Sequence, residues 1–309
     1  VRPAVYIPNF NGSQVIGRAL RSLREQSRPL DVVVVDNGSG DGTPALLHDE
    51  FPEVTVLSLE RNIGFGPALN HAVREHRADP LIFLNSDVEC EPRFVEALLD
   101  AAAEGVQSVA GVLLQERAPE LIDSAGVVAD RTLMGFDYLH GEPRAAASTA
   151  PNPLGPTGGA ALYDRRAFEA VDGFDERIFL YYEDLDLALR MAAGGARCRL
   201  APDAAALHAY STGLGAASAR KFAHTGWSRG YMLRRYGVMS DPRQAARVLA
   251  TEGAICAGQL LMDRTPAGLR GRLRGWRDGG GGPALNTGEA ELLEISTREA
   301  LALRRRRRG

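Results

Sequence analysis

Four short apolar runs, each cut off by a burst of polar and glycine residues, fill the first part of the chain. They are Ala4-Val5-Tyr6-Ile7 before Pro8-Asn9-Phe10-Asn11-Gly12, and Val32-Val33-Val34-Val35 before Asp36-Asn37-Gly38-Ser39-Gly40-Asp41-Gly42-Thr43. Val54-Thr55-Val56-Leu57 precedes Arg61-Asn62-Ile63-Gly64-Phe65-Gly66, and Leu81-Ile82-Phe83-Leu84 precedes Asn85-Ser86-Asp87. Runs this short suit strands covered on both faces and are too abruptly ended for helices. Between them lie helical patterns. Val15, Ile16, Ala19, Leu20 and Leu23 share one helical face with Ser13 placed to cap it, and Pro44 holds a favoured first position of the next helix. A third helix is expected through about His76. Four strands alternating with helices predict a parallel sheet with right-handed crossovers, a Rossmann-like α/β half.

Parallel strands release their C-terminal ends onto one edge, so these four loops form one crevice. Asp87, just past the fourth strand, could hold a hard divalent cation against a phosphorylated ligand, or could serve only as a polar strand-to-loop turn. Asp36 could accept the imide N–H of a pyrimidine base, and reads equally as an Asx-turn residue. Arg61 and Asn62 read as nucleotide contacts or as caps of the following helix.

Several classes are excluded. Gly64-Phe65-Gly66-Pro67-Ala68-Leu69 imitates a dinucleotide fingerprint, but its third glycine is Leu69 and it follows the third strand, which disfavours a nicotinamide enzyme. No G-x-x-x-x-G-K-[ST] phosphate loop occurs. Cys90, Cys198 and Cys256 are far apart with no C-x-x-C pair, so neither a disulfide framework nor a zinc site is expected. No apolar run is long enough to span a membrane and no basic-then-apolar leader opens the chain, so a cytosolic protein is expected. The net charge of −3 is uneven: residues 241–309 carry 13 Arg and 8 acids, net +5, which leaves −8 for residues 1–240. An acidic body of that kind argues against nucleic acid as a partner.

Further along, a helix is expected from Glu91-Pro92 to about Ala103 and a strand from Val106 to Leu114. Residues 115–153 read as irregular, a long connection expected to frame the acceptor side of the crevice. Gly155-Pro156-Thr157-Gly158-Gly159 opens a strand to Tyr163, and its glycines either admit a ligand to the backbone or simply make a turn. A short helix is expected from Arg165 to Val171. In Tyr182-Glu183-Asp184-Leu185-Asp186-Leu187, three acids crowd the first turn of a helix, where they favour the helix dipole whatever their function.

Taken together, the Asp36–Thr43 loop, Arg61-Asn62-Ile63-Gly64-Phe65-Gly66, Leu84-Asn85-Ser86-Asp87, Gly158-Gly159 and Tyr182-Glu183-Asp184-Leu185-Asp186-Leu187 resemble the family 2 glycosyltransferases of GT-A fold, most closely their rhamnosyltransferase-like branch. The resemblance covers roughly residues 3–240, and its specificity lies in five motifs in the right order. It implies an α/β fold, a Rossmann-like nucleotide-binding half with a mixed central sheet, followed by C-terminal helices. It also implies an inverting transfer of a sugar, such as a deoxyhexose, from a UDP- or dTDP-sugar to an acceptor hydroxyl, with a lipid-linked glycan as one acceptor class. By the same resemblance Asp184 is the catalytic base and Asp87 binds Mg2+ or Mn2+, while His208, in Leu207-His208-Ala209-Tyr210-Ser211-Thr212-Gly213, reaches that metal or the diphosphate, or reads as polar surface. The donor nucleotide contacts Pro8, Asn9, Asp36, Asn62, Gly66, Asn85 and Ser86; Gly158, Gly159 and Glu183 face the acceptor or diphosphate. Asn85 replaces the first aspartate of the family's D-x-D, which weakens the expectation of strict metal dependence. The Q-x-x-R-W signature of processive synthases is missing after Asp186, so single transfer is expected.

Beyond residue 217, Ser218 to Tyr236 reads as a helix in which Phe222, Trp227, Tyr231, Met232 and Tyr236 alternate with Arg220, Lys221, Arg229, Arg234 and Arg235. Such a helix can lie on an anionic membrane or can pack its aromatics on the sheet. Residues 241–309 are expected as a separate helical extension: a helix from Arg243 to Met262, a flexible glycine-rich linker from Thr265 to Pro283, and a last helix from Glu289 to Leu303. An arginine tail, Arg304 to Arg308, closes it as either a membrane-seeking or a solvated terminus. Peripheral contact with the inner face of the membrane is compatible with either basic segment.

Two other functions compete. A sugar-nucleotide pyrophosphorylase would need a basic glycine-rich loop after the first strand, where Pro8-Asn9-Phe10-Asn11-Gly12 has no basic residue. A sugar-nucleotide-binding protein without catalysis is kept alive by Asn85 and opposed by the intact Asp87 and Asp184.

Overall fold

The structure, a computed structural model, describes residues 2–209, 218–280, 284–288 and 290–306. Its first half follows the alternation: β1 (Ala4–Asn9), α1 (Ile16–Arg24), β2 (Asp31–Asp36), α2 (Thr43–Glu50), β3 (Thr55–Ser58), α3 (Phe65–Glu75) and β4 (Leu81–Leu84). Then come β5 (Val88–Cys90), α4 (Phe94–Ala101), β6 (Ser108–Gln115), β7 (Ala118–Ser124), β8 (Val127–Ala129), β9 (Gly135–Asp137), β10 (Ala160–Tyr163), α5 (Arg165–Ala170), α6 (Glu183–Ala193) and β11 (Cys198–His208). The C-terminal helices are α7 (Ala219–Arg235), α8 (Pro242–Leu261), α9 (Ala267–Asp278) and α10 (Thr297–Arg306).

One nine-stranded sheet organises the molecule, in the order β3-β2-β1-β4-β10-β6-β11-β5 with β7 added beside β6. The strands from β3 to β4 are all parallel. β10 is the interruption: it runs antiparallel between β4 and β6, pairing Ala160 with Leu84 and Leu162 with Val109. Because β6 and β11 are parallel to each other, the C-terminal ends of β1, β2, β4, β6 and β11 and the start of β10 all reach the same edge. This is the mixed sheet of an α/β protein.

Continuous apolar runs in the central strands reflect burial on both faces. Val5, Ile7, Val34, Ile82 and Leu84 pack with Ile16, Leu20 and Leu23 of α1 and with Phe94 and Leu98 of α4. Tyr6, Val33, Val35 and Phe83 point the other way, onto Leu69 and Val73 of α3 and Leu187 of α6. Each such side chain taken from water contributes about 1.5–3 kcal/mol. β3 is the exposed edge, with Thr55 and Val56 in solvent.

Several expectations change. Ser13 does not cap α1; its N–H donates to Asp41 Oδ2 (3.0 Å), and the helix is entered through the Gly12 carbonyl, which accepts from Val15 and Ile16. The 115–153 connection is not irregular, since it contains β7, the antiparallel β8–β9 pair and a 3-10 turn at Arg144–Ser148. The stretch expected as a flexible linker is mostly α9. That helix runs parallel to α7 along a glycine seam: a Cβ on Gly271, Gly275 or Gly279 would overlap the carbonyls of Ala223, Trp227 and Tyr231. On α7, Gly226 and Gly230 are closed in the same way by the backbone of Gly268 and Arg272. The last helix begins at Thr297, later than expected, because Ser296 and Glu299 form a reciprocal capping box there. Its Ala300 is buried in a cluster with Met134 and Ile255.

The aromatic residues of α7 belong to the core. Phe222, Tyr231, Met232 and Tyr236 are buried, Trp227 is half-buried, and Arg229 is buried as well. Arg229 donates to Glu252 of α8 (2.6 Å) and to the carbonyls of Thr132 and Leu133 (both 2.8 Å). Glu252 also accepts from Arg272 of α9 at 2.6 Å. Burial alone would raise the Glu252 carboxyl, but the two guanidinium groups override it and hold the group at about 2. This buried triad ties α7, α8 and α9 together. Among the described residues, no helix is long and apolar enough to cross a membrane.

Candidate active site

The donor side of the edge is built from loops that lock one another. Asn37, just past β2, donates from Nδ2 to Asn62 Oδ1 (3.1 Å) and to the Gly64 carbonyl (3.0 Å), while its Oδ1 accepts from Ile63 N–H (2.9 Å). Asn62 Oδ1 also accepts from Gly64 N–H at 3.0 Å. Gly38 adopts φ +77° with its α-carbon face closed by Arg61, where a Cβ would lie 2.6 Å from Cα, so no other residue fits. Asp36 makes a local contact three residues on: its Oδ1 accepts from Ser39 N–H at 3.3 Å. Pro8 and Asn9 end β1. Asn9 Nδ2 reaches Ser39 and Thr43 hydroxyls at 3.4 Å, and its buried Oδ1 has no hydrogen-bond partner. Burial would push the nearby Asp41 carboxyl up, yet the Thr43 hydroxyl and the Ser13 and Thr43 amides hold it at about 2.

The glycines of Gly64-Phe65-Gly66 serve packing. A Cβ on Gly64 would lie 2.6 Å from the Phe179 carbonyl, which accepts from Phe65 N–H at 3.0 Å, and Gly66 abuts Phe174. Phe65 in turn fills the space a side chain on Gly158 would need. Gly159 accepts from Asn85 N–H (3.4 Å) and leaves room for the Asn85 amide, 3.0 Å from where its own Cβ would be. Gly158, Gly159, Asn85 and the 64–66 turn are thus neighbours, and the same turn contacts the segment that leads into α6.

Asp87 and His208 meet as expected. Pairing of β5 with β11 brings Val88 opposite His208, and the Asp87 carbonyl accepts from Ala209 N–H (2.9 Å). His208 Nε2 lies 3.4 Å from Asp87 Oδ1, while Nδ1 lies 2.7 Å from Asp123 Oδ2. Asp123, on β7, also takes His140: Nδ1 of that ring is 2.7 Å from the Asp123 carbonyl. Burial opposes charge on His208, but the two carboxylates outweigh it and raise the ring to about 10. Asp123 is itself held well below the usual carboxylate range by the two imidazoles, against the effect of burial. Ser86 lies half-buried beside Asp87, and Tyr210 to Gly213, which follow His208 along the chain, lie outside the described residues.

At the start of α6 the three acids separate. Asp186 is fully buried and accepts from Arg190 Nε (2.8 Å) and the Tyr236 hydroxyl (2.9 Å), so its work is structural. Glu183 is buried with Oε2 lacking a partner, and burial, reinforced by the Asp184 charge, raises its carboxyl to about 8. Asp184 is half-buried, with Oδ1 accepting from Leu185 N–H at 2.8 Å. Tyr181 and Tyr182 precede them at φ +69° and +72°, adjacent left-handed residues that are not glycine. Conformations of that kind cost roughly 1–3 kcal/mol each and gather at functional sites. The Ser228 hydroxyl on the Leu180 carbonyl (3.1 Å) and the Phe65 amide on Phe179 hold this segment in place.

Sequence reasoning missed Asn37, Asp123 and His140. Leu121-Ile122-Asp123-Ser124-Ala125-Gly126 carries a readable signal, an apolar pair running into an acid, a serine and a glycine, akin to the polar burst after Leu84. A separate concavity of about 740 Å³, lined by Arg74, Arg77, Asp79 and Arg165, lies at the opposite edge, where β4 begins and β10 ends, and has no part in this site.

Comparison with known proteins bears on the family and the fold. The family model described as glycosyl transferase family 2 matches residues 4–172. An N-acetylglucosaminyl-diphospho-decaprenol L-rhamnosyltransferase of Mycobacterium tuberculosis is 34% identical over 245 residues, covering 71% of this chain and 80% of the relative. Among solved structures, the GalNAc-T7 complex with UDP, GalNAc and Mn2+ superposes with a TM-score of 0.62 at 15% identity, over 90% of this chain and 54% of that one. The mannosyltransferase PcManGT of Pyrobaculum calidifontis, in complex with GDP-Man and Mn2+, gives 0.54 at 18% identity, over 90% and 86%. These two share the fold.

Proposed function

The chain belongs to glycosyl transferase family 2 and is a glycosyltransferase; from that premise we propose that it moves a sugar from a UDP- or dTDP-linked donor to an acceptor hydroxyl, with inversion at the anomeric carbon. The observation that carries this reading is the division among the acids of α6. Asp186 is engaged by Arg190 and Tyr236, Glu183 is kept protonated near neutrality, and Asp184 is the half-exposed carboxylate of the three. Asp184 takes the proton of the acceptor hydroxyl as its oxygen attacks the anomeric carbon, and the diphosphate departs with the electron pair of the breaking bond. Such general-base help is worth roughly 10²–10⁴ in rate.

The residues present fit a divalent cation, Mg2+ or Mn2+. Asp87 and His208 would hold it: the cation would take the place of the proton that the two carboxylates otherwise keep on the ring, and the Asp123 carboxylate at Nδ1 would orient Nε2 toward it. Among the described residues no three His, Cys, Asp or Glu side chains form a closed cage. That suits an ion of this type, which takes few protein ligands and completes its shell with substrate phosphates. When bound, the cation neutralises charge on the departing diphosphate. Asn85 would offer a neutral oxygen where a second carboxylate would bind more tightly. Pro8, Asn9, Asp36 and Asn62 line the nucleobase end, Gly66, Asn85 and Ser86 the remainder of the nucleotide, and Gly158, Gly159 and Glu183 the diphosphate or acceptor.

The relative's name joins a rhamnosyl donor to a diphospho-decaprenol acceptor. By that likeness we take the donor sugar to be a deoxyhexose such as rhamnose and the acceptor to be a lipid-linked glycan, met at the cytoplasmic face of the membrane. Calorimetric titration with UDP- and dTDP-sugars, with and without Mn2+, tests the donor class, and NMR of the product tests inversion. Retention of configuration, or no binding of either nucleotide sugar, would overturn the reading.

A further inference from the structure

We propose that the outward face of α8 and α9 is a docking surface for an anionic lipid bilayer. From Pro242 to Arg277, every exposed side chain is Ala, Leu, Met, Gly, Pro or Arg; no exposed position in that span is acidic or uncharged polar. Six of the nine large hydrophobic residues exposed among the described residues fall between Leu249 and Leu273, and Leu261 and Met262 are 78% and 76% exposed. A water-facing helix normally carries charge on that face. Here the outward stripe of α8 runs from Ala246 through Leu249, Ala254 and Ala257 to Leu260 and Leu261. The turn into α9 adds Met262 and Arg264, and α9 continues with Leu269, Arg270, Leu273 and Arg274 facing out while its glycines hold α7.

Charge selects the occupant. Acids are few on this face: Glu252 is buried between Arg229 and Arg272, Asp263 in the turn is half-buried, and Asp278 at the far end of α9 is exposed but accepts from the Trp227 indole N–H (2.8 Å). What remains outside is leucine and methionine interspersed with arginine, which suits acyl chains beneath anionic headgroups. A second copy of the same face would oppose arginine with arginine. The glycine seam and the buried triad fix the surface before any lipid arrives. The lipid-linked acceptor proposed above gives this surface its purpose, but the surface is tested without donor or acceptor, so either reading can fail alone.

Co-sedimentation of the full chain with phosphatidylcholine vesicles, with and without phosphatidylglycerol, is the test. The chain is expected to pellet with the anionic vesicles and to be released by salt. Leu260→Ser, Leu261→Ser and Met262→Ser combined should lower partitioning by at least about a hundredfold, because each large side chain withdrawn from water is worth roughly tenfold or more. All three are exposed, so the melting temperature should not move, and that measurement accompanies the assay. Failure of the folded wild type to pellet, or equal pelleting of the triple variant, would overturn the proposal. So would a dimer in sedimentation velocity that the triple variant dissolves, since the face would then be covered by a second copy.

Discussion

The sheet edge and the C-terminal helices reach order by different routes. At the edge, polar side chains sit at strand ends and cross-brace one another: Asn37 with Asn62, and Asp123 with His208 and His140. In the helices, contact is made by the absence of side chains along Gly271, Gly275 and Gly279 and by the enclosed Arg229–Glu252–Arg272 group. The edge keeps functional groups partly solvated on rigid backbone, at a modest cost in stability. The helices commit the Arg229–Glu252–Arg272 charges to structure and leave an outer face of apolar side chains and arginine. Substitutions at the edge should therefore alter chemistry with little loss of fold, and substitutions in the helices should do the reverse.

The sharpest division is expected from Asp184→Asn, which should lower turnover by roughly 10²–10⁴ while donor affinity and melting temperature stay near wild type. Wild-type turnover in single-turnover kinetics would move the base elsewhere. Arg229→Ala should invert that pattern: about 3–5 kcal/mol lost in urea unfolding, because Glu252 is left buried with one of its two partners gone. If stability barely changes, the triad is not what binds the helices to the sheet domain. Asp123→Asn should weaken Mn2+ binding in the presence of UDP by about 10–100-fold, read by calorimetry, as loss of the group that orients a metal-ligating imidazole does. Unchanged affinity would confine Asp123 to a structural role.

The last test concerns pH. The folded-state value of Glu183 is raised from 4.5 to about 8, so its protonated form favours folding; this contribution is complete below about 4.5 and lost as pH rises toward 8. Glu183→Gln should flatten the fall in melting temperature across that window. A slope equal to wild type would mean that the carboxyl ionises at no cost.

Legibility in the sequence divides along the same line. Strand ends followed by polar bursts are local signals, so β1 to β4 and the positions of Asp36, Asn62, Asn85 and Asp87 could be read directly. The pairing of Asp87 with His208 needed only the family's motif order, whereas Asp123 was lost because a connection of mixed composition hid three strands. The helical region was harder for a physical reason. Glycine-rich sequence reads as flexible when considered alone, and Ala267 to Asp278 becomes a helix because α7 offers glycine and backbone at matching intervals. Aromatic and basic residues on α7 gave no sign of which would be enclosed, and Arg229 is buried against Glu252 and the Thr132 and Leu133 carbonyls. Ser296-Thr297-Arg298-Glu299, by contrast, was a readable start signal for the last helix.

One geometric requirement follows from α7 and α9 running in the same direction. Two consecutive helices joined by a short turn oppose each other, so a parallel pair needs a return leg, and α8 supplies it. At 1.5 Å per residue, its 20 residues retrace roughly 30 Å, close to the roughly 25 Å that the 17 residues of α7 travelled. The length of α8 is thus set by the two helices it connects: removing a single turn from it would deliver Gly268 about 5 Å short of Gly226, out of step with its mate.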